Sequence, residues 1–458
     1  MISHSHSFLS VPKDGSYRIV NARVPADLVP VLAGAPAIDG ITDCELIVEN
    51  GKVQSIGAPN TLPATPGLAT IDLDNGIVMP RFVEVHTHLD KSHIWPRIQN
   101  ENGTVLGARK AIEFDRERRW TADDVRQRMD FSLRCAYAHG TGAIRTHIDS
   151  YGKQTAISFP VFAETRAAWK DRIALQAVAL FPTTVTVRDE AQFRNIADIV
   201  EKNGGIMGGV TAPGGQLSDT VDQELDRLFQ MAAARGLEVD LHVDETTMTH
   251  VRTLENIADA ALRNRFKGRI LCGHCCSLSL IPEEDFKRIA GKLAEADIAV
   301  VSLPMVNMYL QDRGDRRTPR LRGVAPLHEL AEAGVRVMVS SDNTRDPYHA
   351  YGDLDMLEVF REATRILHFD HSERAWTRML GAAQAEQMGL EQHGLIASGQ
   401  PADLVLTRAR TFQDLLTRPQ FDRVVLVNGR QIDTTLPDYR ELDDLYAAAP
   451  APAPALAG

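Results

Sequence analysis

Eight strand-length runs recur between residues 78 and 342, and long amphipathic segments separate them. They are VMPRFVEVH (78–86), TGAIRTHID (141–149), RIALQAVALF (172–181), GGIMGGV (204–210), LEVDLHVDE (237–245), RILCGH (269–274), DIAVVSLP (297–304) and VRVMVSSD (335–342). Intervening stretches such as 122–140 and 220–236 carry apolar residues at helical spacing. Near-continuous apolar strands imply burial on both faces, as in a parallel sheet. Eight strand–helix units therefore predict an α/β fold, a (β/α)8 TIM barrel over residues 76–395.

In such a barrel the chemistry gathers at the C-terminal strand ends, and polar residues recur there. The first run ends in His86 and His88, the second in His147 and Asp149, and the fifth in His242 and Glu245. The sixth ends in His274 and the eighth in Asp342. On an extended strand alternate side chains share a face, so His86 and His88 point the same way. His86, His88, His242 and Asp342 together would offer three imidazoles and a carboxylate to one divalent ion, Zn2+ or Fe2+, with a position open for water. Such an ion lowers the pKa of bound water from about 16 toward about 7. Glu245, three residues past His242, is placed to shuttle a proton, and His274 to orient the water or the substrate.

Other polar residues are read more plainly. The fourth run holds no lysine that could bridge two metals, which favours a single ion. Lys91 is expected to pair with a neighbouring acid, and His147 to pack behind the ligands. Cys272, Cys275 and Cys276 crowd one segment, but no second C-x-x-C accompanies them, so no structural zinc is expected there. The H-x-E…P-C-x-x-C signature of the zinc nucleobase deaminases is absent.

The chain ends read differently. Residues 16–75 contain short strands and an Asn50-Gly51 turn, and 396–440 repeat that grammar with Asn428-Gly429. These pieces predict one small β-sandwich domain assembled from both ends. Residues 1–15 and 441–458 are expected to be flexible. The five cysteines are odd in number and read as reduced thiols. A net charge of -11 supplies no basic track for nucleic acid. No apolar run is long enough to span a bilayer, so no membrane partner is expected. MISHSHSFLSVPKDG does not have the form of a signal peptide, and a cytoplasmic location is expected.

Several segments carry a more specific likeness: FVEVHTHLDKS (82–92), ENGTVLGARKAIE (101–113), DDVRQR (123–128), IRTHID (144–149) and HVDE (242–245). Gly273-His274, PMVNMYLQ (304–311) and SDNTRDPYHAYGDLDML (341–357) add to it. Through them the chain resembles the bacterial cytosine deaminases of the metal-dependent amidohydrolase superfamily over nearly its whole length. The resemblance implies a mononuclear zinc or iron site on His86, His88, His242 and Asp342. It places the proton shuttle on Glu245 and a water-orienting role on His274. It also implies a homo-oligomer acting on a small nitrogen heterocycle.

The chain departs from that pattern at three positions. The family's ring-reading glutamine corresponds to Thr183 or a neighbour, which lacks an amide's paired donor and acceptor. The second acid of its Asp-Asp pair is Asn343, as in similar enzymes that cleave alkylamino groups from triazines. Its pocket tryptophan corresponds to Tyr348, still able to stack on a flat ring. Gln311 is a further candidate ring contact. The expected reaction is hydrolysis of a C–N bond in an amino-substituted heterocycle or cyclic amidine. The alternatives are an N-alkylamino-triazine or amide-ring hydrolase and, in another class, an inactive barrel serving as a binding module.

Overall fold

The computed structural model describes residues 8–371 and 376–447. At the N-terminal end, β1 (Tyr17–Pro25), β2 (Ile41–Glu49), β3 (Lys52–Gly57) and β4 (Ala69–Pro80) lie side by side. Strands from the C-terminal region extend the same sheet, which runs to seven strands. Its chemistry begins at the turns. Asn50 and Gly51 have φ of 51° and 78°, and Asn428 and Gly429 have 47° and 70°, the left-handed pair that a tight hairpin requires. The two turns also touch. A Cβ on Gly51 would lie 2.5 Å from the Asn428 carbonyl oxygen, and one on Gly429 would lie 3.0 Å from Gly51 Cα. Glycine is thus needed there for space as well as for conformation.

The apolar run 78–86, expected as one strand, is divided. Val78–Pro80 belong to β4, and after Arg81 the chain enters β5 (Phe82–Thr87), the first strand of the parallel layer. Then follow β6 (Thr141–Asp149), β7 (Ala174–Leu180), β8 (Met207–Val210) and β9 (Val239–Val243). β10 (Ile270–His274), β11 (Ile298–Ser302) and β12 (Val337–Val339) complete the series. β5, β6 and β7 form one parallel sheet, and β8 to β12 another in sequential order. Isolated parallel bridges Val178↔Ile206 and Pro182↔Val210 join β7 to β8, and Thr87↔Asp342 joins β5 to the segment after β12. Helices connect the strands, among them α1 (Val105–Arg119) and α2 (Ala122–Ala138). β12 stops short of its sequence run: Ser340 N still donates to the Ser302 carbonyl at 3.1 Å, but Ser341 N turns to the Glu84 carboxylate at 3.2 Å.

β13 (Leu404–Leu406), β14 (Val424–Val427) and β15 (Arg430–Gln431) return to the first sheet, whose order is β15-β14-β13-β4-β1-β2-β3. Leu406 pairs with Val78 and Leu404 with Pro80. Past the strands, residues 439–447 form helical turns where flexibility was expected from 441 onward. Leu442 packs with Phe131 and Cys135 of α2, and Tyr446 donates to the His93 carbonyl at 2.9 Å. The remainder of the expected flexible tail, 448–458, and residues 1–7 lie outside the described residues. The described cysteines are all free and buried. Among the described residues no helix is long and apolar enough to cross a membrane.

Candidate active site

The seam between β5 and the end of β12 brings the first histidines to the last carboxylate. Ser340 Oγ accepts hydrogen bonds from Val85 N at 3.2 Å and His86 N at 3.1 Å. Ser341 N donates to the buried Glu84 carboxylate at 3.2 Å. Asp342 N donates to the His86 carbonyl at 3.0 Å, and Thr87 Oγ1 to the Asp342 carbonyl at 2.8 Å. Asp342 has φ 66° and His274 72°, sparsely populated for residues other than glycine, so their surroundings hold them there. Gly273 makes room beside them, because a Cβ there would lie 2.8 Å from His86 Cε1.

The expected ligands converge. Asp342 Oδ1 is 3.1 Å from His88 Nε2 and 3.5 Å from His86 Nε2. His242 Nε2 is 3.2 Å from His88 Nε2, and the His86 and His242 ring centroids are 4.6 Å apart. One donor atom each from His86, His242, His274 and Asp342 fall within 4.8 Å of one another. That group has His274 in place of His88, whose own short contacts are to Asp342 and His242. All five therefore border one small volume.

The donors fit a divalent cation. Both oxygens of Asp342, both ring nitrogens of His86 and Nδ1 of His88 and His242 are buried without hydrogen-bond partners. Such a set is costly unless an ion satisfies it. Burial lowers His88 to about 4 and His274 to about 3, and carries His147 and His242 well below the usual range, neighbouring histidines adding to it. These rings are thus neutral, as metal ligands must be. Burial alone would raise Asp342, but the close His86 and His88 rings hold it well below the carboxylate range. A second group, His86, His147 and Asp240, shares His86 with the first. There Arg145 Nη1 pairs with Asp240 Oδ2 at 3.2 Å, while Asp240 Oδ1 lies 3.6 Å from His147 Nε2.

Around this centre the other candidates divide. Glu245 Oε1 is 3.8 Å from His274 Nδ1; burial, and then the Asp342 charge, push its carboxyl up to about 8. Gln311 is buried and donates from Nε2 to the Glu245 carbonyl at 3.2 Å. Asn343 is buried and donates to Asp346 Oδ2 at 2.7 Å. Asp346 Oδ1 accepts from Tyr348 N at 2.8 Å, fixing that residue's backbone. Burial and the charges of Glu245, Asp149 and Asp346 raise the Tyr348 hydroxyl well above its ordinary value, which sets that hydroxyl among them. Thr183 lies apart, its hydroxyl donating to Glu224 at 2.7 Å. Lys91 pairs with Asp149 at 2.6 Å.

Sequence reasoning missed Asn307 and Asp346. Asn307 sits on the helix Pro304–Leu310, and its Nδ2 donates to His274 Nδ1 at 2.9 Å, which leaves the ring proton on Nε2. It lies four residues before Gln311, the residue that caps this helix and whose N–H donates to the Asn307 carbonyl, and that spacing was the available signal.

Comparison with known proteins agrees with this architecture. Residues 123–433 match the model of the Amidohydrolase family. The chain is 51% identical to a pterin deaminase of Rhizobium rhizogenes (strain K84), covering 97% of this chain and 100% of that one. The crystal structure of 5-methylcytosine deaminase from Klebsiella pneumoniae liganded with phosphonocytosine superposes with a TM-score of 0.75 at 23% identity, over 91% of this chain and 97% of that one. N-isopropylammelide isopropylaminohydrolase from Burkholderia multivorans gives 0.73 at 24% identity, over 92% and 100%. With the parallel strand order, these likenesses give a TIM-barrel-like α/β fold. By sequence match over most of its length, this chain belongs to the amidohydrolase family.

Proposed function

We propose that this protein deaminates a pterin, a bicyclic ring that carries an amino group on an amidine-like carbon. It is a hydrolase of carbon–nitrogen bonds, a metal-dependent deaminase acting on a nitrogen heterocycle. The observation that carries the reading is the unpartnered His–Asp cluster, in a chain half identical from end to end to a pterin deaminase.

In this reading His86, His88, His242 and Asp342 hold a single ion, zinc or ferrous iron. When bound, the ion supplies Lewis acidity that makes water nucleophilic at neutral pH. Asp342 accepts a proton from the attacking water. Glu245, whose carboxyl burial raises to about 8, donates to the ring nitrogen. The proton held by Asp342 passes to the departing amino group, and collapse of the tetrahedral carbon to a carbonyl returns a proton to Glu245. His274, its tautomer fixed by Asn307, donates to the oxygen that develops on the attacked carbon. Tyr348 stacks on the ring, while Gln311 and Asn343 line its edge. Thr183, its hydroxyl committed to Glu224, serves to fix the loop after β7.

The two parallel sheets are read as one eight-stranded barrel over 76–395, supported by the bridges that link their edges. The terminal sheet is read as a β-sandwich built from 16–75 and 396–440. β4 supports this, pairing with β1 along Ala69–Ile77 and with β13 at Val78–Pro80. We also propose a cytoplasmic homo-oligomer without nucleic-acid or membrane partners, in keeping with the acidic net charge.

The test is ammonia release from metal-loaded enzyme across pterin, cytosine, aminopurines and aminotriazines. The reading expects pterin to have the highest kcat/KM. Release of alkylamine from N-alkylamino-triazines, with pterin untouched, would overturn it.

A further inference from the structure

The loop that follows the helix Pro304–Leu310 is unusual for an acidic chain. Between Asp312 and Arg322 five arginines stand against two aspartates. Asp312 anchors the loop, accepting from Arg317 Nη2 at 2.5 Å and from Leu321 N at 3.0 Å. Arg322 is turned away, toward the Ile366 carbonyl and His368. Arg313, Arg316 and Arg320 make no ion pair among the described residues. Most other arginines of the molecule do, and uncompensated guanidinium groups repel one another unless an anion joins them.

This loop starts at the catalytic centre. Gln311, directly before it, contacts the Glu245 carbonyl, and Gly323 at its far end packs against the Gln311 side chain. The Arg313 guanidinium lies 4.6 Å over the Tyr309 ring, and its stem is pinned by Gly103, where a Cβ would lie 2.6 Å from Arg313 Cδ. Tyr309 in turn stands edge-on to His349 at 5.3 Å and Tyr351 at 6.0 Å. His349 Nδ1 is 3.1 Å from the Asn343 carbonyl, one residue beyond Asp342. Tyr351 keeps 65% of its surface exposed. Loops following β5, β11 and β12 thus meet in an aromatic and cationic rim that begins at the site and opens to solvent.

A pterin entering with its amino-bearing carbon toward the His–Asp cluster directs its pyrazine edge outward, toward such a rim. We propose that Tyr309, Arg313, His349 and Tyr351 form an outer subsite for an anionic substituent on that edge, a carboxylate or a phosphate. This rests on the pterin reading above. The aromatic faces would carry the planar part of the substituent, and the planar Arg313 guanidinium would pair with its charge.

The experiment compares kcat/KM for 6-hydroxymethylpterin, its phosphate ester and 6-carboxypterin, in the wild type and in the variant Arg313→Gln. In the wild type the anionic compounds are expected to exceed the neutral one by about tenfold, chiefly through KM, the scale of one good charge-assisted contact. That ratio falls toward one in the variant and in high salt. The better of the two anions identifies the substituent. A wild-type ratio near one, or a ratio that Arg313→Gln leaves intact, overturns the subsite alone. No ammonia from any of the three removes the pterin reading and the subsite with it.

Discussion

His88 Nε2 lies 3.1 Å from Asp342 Oδ1, although the two residues follow the first and last strands of the parallel series. Their approach depends on a seam held by side chains where β12 is too short to pair. Ser340 Oγ is the shared acceptor for Val85 N and His86 N. Ser340→Ala leaves Val85 N without its acceptor and His86 N with only a long contact to Glu84 Oε1 at 3.4 Å, at a cost of about 1–3 kcal/mol for an unsatisfied buried N–H. Urea unfolding is expected to show the loss of stability, and metal titration a weaker site.

Glu245 carries the proposed proton transfers without being a ligand. Glu245→Gln is expected to lower kcat by roughly 10²–10⁴-fold. Elemental analysis is expected to find its metal content equal to that of the wild type. Loss of metal along with activity would make Glu245 a ligand instead.

Asn307 acts through His274. Asn307→Ala frees His274 Nδ1 and lets the ring turn, and partners of this kind typically matter by 10–100-fold. The decrease is expected in kcat with little change in KM. Asn307→Gln, with a longer arm, is not expected to restore it.

Arg423 and Asp355 form a buried two-pronged pair at 2.8 and 2.7 Å, tying β14's approach to the segment before helix Met356–Leu367. Burial alone would raise Asp355, but Arg423 and His139 bring it down to about 2. A depressed carboxylate stabilises the fold above its unfolded pKa of about 4, and that contribution disappears as pH falls from about 4 to about 2. Arg423→Met leaves a buried unpaired charge, costing about 3–5 kcal/mol near neutrality. The acid-unfolding midpoint followed by circular dichroism is expected to move to higher pH.

Most of this arrangement was readable from the chain. The apolar runs marked the parallel strands, because burial on both faces leaves a compositional trace. The histidines and Asp342 stood out because each closes such a run. The Asn–Gly turns marked the terminal hairpins, and only the structure shows them packed on each other. Less was visible where one residue's role depends on a distant partner. Thr183 looks available in sequence, yet Glu224, from another helix, takes its hydroxyl. Asp346 gives no periodic signal, yet it fixes both Asn343 and Tyr348. The split of 78–86 at Arg81 was hidden because both halves are equally apolar. The helical turns at 439–447 were hidden because their anchors, Phe131 and His93, lie hundreds of residues earlier.

The central claim is that one ion is held where β5, β9 and the end of β12 meet. Metal content per chain, measured in the wild type and in Asp342→Ala, tests it most directly. The account predicts a single zinc or iron per wild-type chain, and loss of most of it from a variant that circular dichroism shows to be folded. Two ions per wild-type chain, or full metal retention in Asp342→Ala, would contradict it.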